Sequence, residues 1–351
     1  MTTQLRARNL NFMAVEDLTE PLHVFTKIRY NHKGAWCTIE KTGEDEVLCT
    51  FDEPQRAVTP GQAVVFYDGE YVLGGGTNSM ITSDSHMHTR FSTDSDADIR
   101  DMIESALKKG LQSICITDHI DKDYPFHEDT GAEAFLVDLD EYFPKLAEWK
   151  EAYAEKIQIR RGIELGLQPH LAGFYEELTN QYPFDFVIGS VHVVHGMDPY
   201  YGEIFEGRSD EEVYKETFLA TLENLDAVSS FDVLGHLDYV VRYGKCQARQ
   251  YSYKKYAQEI DEILKKVIAM GKGIELNTAG WKYGLAFCHP HPEILCRYKE
   301  LGGEIITVGS DAHKPEHVAY DFQKAADVLK ACGFKYYTEF QDRKPIFKQL
   351  L

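Results

Sequence analysis

The sequence predicts an α/β chain: a TIM-like barrel of seven parallel βα units over residues 81–351, preceded by a small antiparallel β-barrel over residues 1–80. Three observations carry this expectation. The first eighty positions hold short apolar runs separated by turn residues; from residue 81 onward apolar strands alternate with amphipathic helices; and histidines collect at the ends of those later strands.

In the first part "HVFTKIRY", "AWCTIEK", "EVLCTFD", "QAVVFYD" and "EYVLGGG" read as strands. "NHKG", "TGED", "DEPQRAVTPG" and "DG" supply the turns between them, and "GGGTNSM" marks the end of the unit. After residue 81, "ITSDSH" precedes a helix with Ile99, Ile103, Ala106 and Leu107 on one face, capped by Ser95 or Asp96 and stopped by Gly110. The strands "LQSICITDH", "IQIRRGIELG", "FDFVIGSVH", "FDVLGHLDY", "GKGIELNT" and "GEIITVGSDAH" follow, with helices near 138–155, 169–182, 210–228, 252–270, 291–302 and 320–332. Near-continuous apolar strands joined by helices imply a parallel sheet covered on its faces. A last strand, "FKYYTEF", has no assigned place in that pattern.

Composition narrows the function classes. The formal net charge is −20, which disfavours a nucleic-acid or anionic-membrane surface. No apolar run approaches the roughly 18 residues of a membrane helix, and "MTTQLRARNLNF" lacks the apolar stretch of a signal peptide, so a cytoplasmic location is expected. The seven cysteines are odd in number and contain no C-x-x-C pair, which predicts reduced thiols.

Only His23 and His32 of the fourteen histidines precede residue 81. His86 and His88 end the first barrel strand, His119 the second, His192 the fourth, His236 the fifth and His313 the seventh. Glu164, Asp311 and Asp94 share those strand ends or the loops after them. In a βα barrel the carboxyl ends of the strands converge on one face, so residues distant in sequence meet there. Strand alternation points His86 and His88 the same way, and Asp311 and His313 likewise.

Any one of these histidines alone reads as a hydrogen-bonded side chain. Six in register with three carboxylates read as a metal cluster, because uncompensated buried charges cost several kcal/mol each. Imidazole with carboxylate suits Zn, Mn or Fe, and nine donors exceed the needs of one ion. Two or three divalent ions sharing Glu164 as a bridging carboxylate would use them all. "HPHP" at 289–292 reads instead as a turn and helix start, with His289 and His291 as capping or surface residues. His127, His170, His195 and His317 have no assigned role, and "DEEVYKETFLATLENLD" is a solvated helix face with an apolar stripe.

Three divalent ions against three carboxylates leave a local charge of about +3, enough to attract a phosphate dianion despite the acidic chain. A water bridging two ions has its pKa lowered from 15.7 to about 7, which supplies a hydroxide nucleophile held against Asp311 and Glu164. No Ser-His-Asp pattern, Walker loop or G-x-G-x-x-G competes for the role.

"DSHMHTRFSTDS", "ICITDHID", "GIELGL", "FDFVIGSVH", "FDVLGHLDYVVRYG" and "ITVGSDAH" resemble, in order and spacing, the PHP (polymerase and histidinol phosphatase) family across residues 81–340, and within it the histidinol-phosphatases. The resemblance implies a distorted (β/α)7 barrel with a trinuclear centre that hydrolyses L-histidinol phosphate. By position it implies one ion on His86, His88, Glu164 and Asp311, a second on Glu164, His192 and His236, and a third on Asp94, His119 and His313. Many relatives carry a histidine where Asp94 stands. "DYVVRYG" implies Arg242 as the partner of the substrate phosphate, since a guanidinium fork matches phosphate oxygens.

Residues 9–77 resemble a different protein, the C-terminal β-barrel of tRNA 2-thiouridylase. The ATP-binding domain and catalytic cysteines of that enzyme are absent, so thiolation is not expected; a weak tRNA contact remains open as the barrel's role. Two other readings stand beside the histidinol-phosphatase one. The first is a related phosphomonoester or nucleotide as substrate. The second is a tRNA-associated binding protein with a degenerate PHP half, against which the nine acceptable ligand types argue.

Overall fold

The structure is a computed structural model that describes residues 2–15, 18–29, 32–43, 46–56, 63–69, 71–78, 81–131, 134–246 and 248–350. It divides into two compact units, one formed mainly by Met1–Thr82 and the other by most of Ser83–Lys348. The turns expected at 31–34, 42–45 and 52–61, and the end of the first unit at 79–80, lie wholly or partly outside the described residues.

The first unit is a closed barrel of β1 (Thr2–Phe12), β2 (Leu22–Lys27), β3 (Ala35–Gly43), β4 (Glu46–Gln55), β5 (Ala63–Asp68) and β6 (Tyr71–Asn78), ordered β1-β4-β3-β2-β5-β6. Its strands alternate: Val24, Cys37, Ile39, Cys49, Phe51, Val64 and Phe66 fill the interior, while Trp36 stays half exposed. The sequence pattern missed β1, which pairs with both β4 and β6 and so closes the barrel. Leu5 and Ala7 point inward there, but Arg6 between them bonds Glu46 on the outside, and so short an apolar stretch reads as polar.

The second unit is a parallel sheet of β7 (Ser83–Asp84), β8 (Ser113–Ile116), β9 (His119–Ile120), β10 (Gln158–Gly166), β11 (Phe186–Ser190), β12 (Val233–Leu234), β13 (Gly273–Asn277) and β14 (Ile306–Gly309). Its order is β14-β13-β12-β11-β10-β8-β7, with β9 continuing beside β10. That makes seven strand positions, as the sequence predicts. The ends meet: the amides of Ser85, Asp311 and His88 donate to the carbonyls of Val308, His86 and Ala312 at 2.8–2.9 Å. The strands are apolar on both faces because core and helices cover both.

The helices are α1 (Ile99–Lys108), α2 (Leu139–Ala152), α3 (Ala172–Gln181), α4 (Asp210–Ala227), α5 (Ala257–Ala269), α6 (Ala279–Lys282), α7 (Pro292–Glu300) and α8 (Phe322–Ala331). The start of α1 corrects the sequence reading. Asp98, later than Ser95 and Asp96, accepts from the Arg100 amide at 2.9 Å, while the Ser95 hydroxyl donates to the His313 carbonyl. The short α6 directly after β13 was not expected.

The final strand finds its place in a two-stranded hairpin, β15 (Tyr336–Gln341) with β16 (Lys344–Gln349). Asp342 and Arg343 take φ of 49° and 61°, the left-handed pair of a two-residue hairpin turn. The hairpin lies at the end of the parallel barrel where the strands begin. Phe340 stacks on Phe186 at 5.0 Å, Arg160 bonds Glu339 and the Phe340 carbonyl, and Arg343 pairs with Asp232.

The expectation of reduced thiols fails at one pair, since Cys296 on α7 is bonded to Cys332 after α8. Separated by 36 residues, the two meet only because those helices pack side by side. Cys37, Cys49, Cys115, Cys246 and Cys288 are free. No helix among the described residues is long and apolar enough to cross a membrane.

Candidate metal centre

All nine ligand-type residues gather at the carboxyl ends of the parallel strands. His86 and His88 follow β7, and their Nε2 atoms lie 3.0 Å apart. Glu164, inside β10 and fully buried, is the hub. Its Oε2 is 3.2 Å from His86 Nε2, 3.5 Å from His88 Nε2 and 3.1 Å from His119 Nδ1. Its Oε1 is 2.9 Å from His236 Nε2 and 3.3 Å from His192 Nε2, and accepts from the Ser190 hydroxyl at 2.6 Å. Asp311 places Oδ1 3.3 Å from His88 Nε2 and 3.8 Å from His86 Nε2.

Three groups are close enough to hold an ion: His86, His88 and Glu164; His119, Glu164 and His192; and His88, His119 and His313. His88 and His119 each belong to two of them. Asp94 stands apart from these groups, two-fifths exposed, with Oδ2 3.0 Å from His313 Nε2 and 3.8 Å from His119 Nε2. Asp311 departs from the simple strand argument, because its φ of 52° is left-handed and the chain is not extended there. Its carboxylate still faces His88.

The electrostatics suit ligation. Burial opposes the charge on Glu164, yet the His86, His192 and His119 imidazoles hold its carboxyl well below the usual range. Burial likewise opposes Asp311, which His86, His88 and His313 keep ionised. Burial first, then the neighbouring rings of His119 and His313, push His88 well below its ordinary value, leaving it a neutral imidazole. His119 is driven the other way: burial disfavours its charge, but Glu164 and Asp94 raise it to about 9.

Whether the donors fit divalent ions has a structural test. Glu164 Oε2 is buried with no hydrogen bond made to it although three imidazoles crowd around it, a costly state that an ion would relieve. The mixed imidazole and carboxylate set suits zinc-like ions. Both observations favour the fit.

Arg242 lies in a 310 turn after β12, with its guanidinium 4.7, 5.1 and 4.2 Å from the Tyr239, Tyr243 and Tyr283 rings. Nη2 donates to the Tyr243 hydroxyl, while Nε and Nη1 are buried and unpartnered. The Tyr239 ring that the guanidinium covers lies 5.0 Å from the His236 ring and 5.8 Å from that of His192, so one tyrosine separates Arg242 from the ligand cluster.

Comparison with known proteins decides the family. The PHP domain family matches residues 84–279, more than half of the chain. A probable histidinol-phosphatase of Clostridium acetobutylicum is 33% identical over 252 residues, 72% of this chain and 94% of that protein. The chain belongs to the PHP family. The histidinol-phosphatase of Lactococcus lactis is 31% identical over 267 residues, 74% of this chain and 95% of that protein. A crystal structure of a Lactococcus lactis histidinol phosphate phosphatase complexed with zinc, L-histidinol and phosphate matches with a TM-score of 0.69 and 30% identity, covering 76% of this chain and 98% of that one. This PHP protein is therefore a phosphoric monoester hydrolase with a (β/α)7 barrel. Residues 2–77 match the aminomethyltransferase beta-barrel domain. There, 76 residues are 64% identical to the tRNA-specific 2-thiouridylase of Koribacter versatilis, covering 20% of that protein's length.

Several site residues of this PHP chain escaped the sequence reading. Glu275 on β13 lies 2.7 Å from His86 Nδ1 and accepts from the His236 amide, fixing the ring whose Nε2 faces the cluster. A signal existed, since "GIEL" occurs at both Glu164 and Glu275. Asp121 does the same for His192, at 2.7 Å from Nδ1. Lys282 of α6 donates to the Asp311 carbonyl at 2.6 Å. His291 caps α7 as expected, accepting from the Glu293 amide. His289 corrects the same reading: it is fully buried, with Nδ1 2.6 Å from Asp238.

Proposed function

We propose that this protein hydrolyses L-histidinol phosphate to L-histidinol and phosphate, as its zinc-bound relative's ligands suggest. The observation that carries the reading is the coincidence, in one mouth, of three ligand groupings joined through Glu164, His88 and His119 with a guanidinium whose Nε and Nη1 are unpartnered. Its ion ligands are His86, His88, Glu164 and Asp311; Glu164, His192 and His236; and Asp94, His119 and His313. Divalent ions such as Zn, Mn or Fe supply, when bound, a hydroxide nucleophile near neutral pH and relief of the phosphate's charge.

The chain's own residues do the rest. Arg242 receives the phosphate oxygens on Nε and Nη1, and its three tyrosine neighbours hold the guanidinium plane in place. Asp311 and Glu164, kept ionised by the surrounding imidazoles, orient the nucleophile's proton. Glu275 keeps the His86 ring in a single orientation.

Phosphate release from L-histidinol phosphate in the presence of zinc or manganese tests the reading. The His86→Ala/His88→Ala double variant is expected to lose roughly a thousandfold or more of that activity. Full activity in the variant overturns the metal-dependent mechanism. Residues 1–80 and 81–351 are further proposed to be separate domains, the second carrying the hydrolase. A fragment spanning 81–351 that folds but releases no phosphate would count against that division.

A further inference from the structure

Asp121 is a buried carboxylate that lies between two histidines from different strands. It follows β9, and its Oδ1 is 2.7 Å from Nδ1 of His192, which follows β11. Its Oδ2 is 3.3 Å from Nδ1 of His119. The His119 contact is within ion-pair reach but off the hydrogen-bonding line, so that nitrogen has no bonded partner. Apart from Asp121, the carboxylate facing His119 Nδ1 is Glu164 Oε2 at 3.1 Å, an oxygen also shared by His86 and His88.

A neutral imidazole carries one N–H, and whichever nitrogen donates it leaves the other as the ligand. For His192, donation from Nδ1 to Asp121 leaves Nε2 facing Glu164 Oε1 at 3.3 Å. For His119, donation from Nδ1 leaves Nε2 facing Asp94, beside His313. If Glu164 Oε2 serves an ion with His86 and His88, Asp121 is the acceptor left for His119. We propose that Asp121 is a positioning residue shared by two ion sites. One oxygen orients His192 for the second site and the other orients His119 for the third, so these two sites fill or fail together. The first site has its own orienting carboxylate, Glu275, and its histidine rings do not depend on Asp121.

The backbone is shaped for this contact. Gly166 ends β10, and a Cβ there would stand 1.7 Å from Asp121 Oδ1. Glycine at 166 is thus what lets the carboxylate reach both rings, and a change at 166 tests Asp121 without altering any polar group.

The inference rests on the metal reading proposed above, and the test separates the two. Full-length wild type, Asp121→Asn and Gly166→Ala are stripped with a chelator and checked for native circular dichroism. They are then titrated with zinc by calorimetry, with bound zinc counted by elemental analysis. Asparagine carries no negative charge and replaces one oxygen with a donating amide, so both rings lose the carboxylate that orients them. Both variants are expected to keep one zinc site at wild-type affinity and to weaken the other two by roughly 10- to 100-fold. A merely structural role would weaken all sites alike. Uniform weakening, loss of a single site, or wild-type titration curves in folded variants overturn the sharing by Asp121 and leave the metal centre standing. A wild type that takes up no zinc overturns both.

Discussion

His119 shows at the scale of one residue how the site couples protons to metal. Burial alone would keep its ring neutral, but Glu164 and Asp94 raise it to about 9, against 6.5 for a free imidazole. In the metal-free protein this charge stabilises the fold fully below pH 6.5, and that contribution is lost as pH rises through about 9. A metal must displace the same proton. Zinc affinity is therefore expected to climb with pH up to about 9, by about tenfold per pH unit for each proton released, and then level. Calorimetry in buffers of different ionisation enthalpy measures that proton directly, and a flat profile across this range would contradict it. Arg242 gives a second expectation: Arg242→Ala should raise KM for L-histidinol phosphate by roughly 10- to 100-fold, the worth of one or two charged hydrogen bonds. Steady-state kinetics checks it, with Arg242→Lys expected in between. Single residues were only partly legible in the sequence. His86, His88 and Glu164 announce themselves by position at strand ends, whereas His289 resembles a loop histidine until Asp238 is seen beside it.

Elements were legible wherever one face or both faces were apolar over several residues. Strands β10, β11, β13 and β14 hold unbroken buried runs, and α4, with Ser209 and Glu212 forming a reciprocal cap, begins where the sequence places it. Strand β1 escaped because its outward face is polar, and α6 because four residues are too few for a helical period. The strands also carry a requirement that no propensity reveals. Gly309 on β14 faces the His86–Glu275 pair, and a Cβ there would stand 2.3 Å from both Glu275 Oε1 and His86 Cβ. Gly309→Ala should destabilise the protein by about 1–3 kcal/mol through overpacking and lower zinc affinity at the same time. Urea unfolding paired with a zinc titration reads both effects, and an unperturbed variant would show that the pair has room to move.

Across the whole second unit, the barrel is finished by a segment whose place the sequence left open. The β15–β16 hairpin brings Glu339 and Phe340 to the strand-start end, where Arg160 of β10 is 4% exposed and bonds both. Arg160→Ala leaves the buried Glu339 carboxylate with only Lys348, 3.9 Å away, as a cation, so a loss of about 2–4 kcal/mol is expected in urea unfolding. A loss below about 1 kcal/mol would mean the hairpin contributes little to closing the barrel. The sequence by itself determined the alternation of strands and helices, the count of seven parallel strands and the identity of the candidate ligands. These follow from periodicity and from the rule that barrel strands end on one face. The tertiary structure alone decided that Asp121 lies against the His192 ring and Glu275 against that of His86, and that Cys296 meets Cys332. Those outcomes depend on distances of a few ångströms between residues far apart in the chain, and local pattern carries no record of such distances.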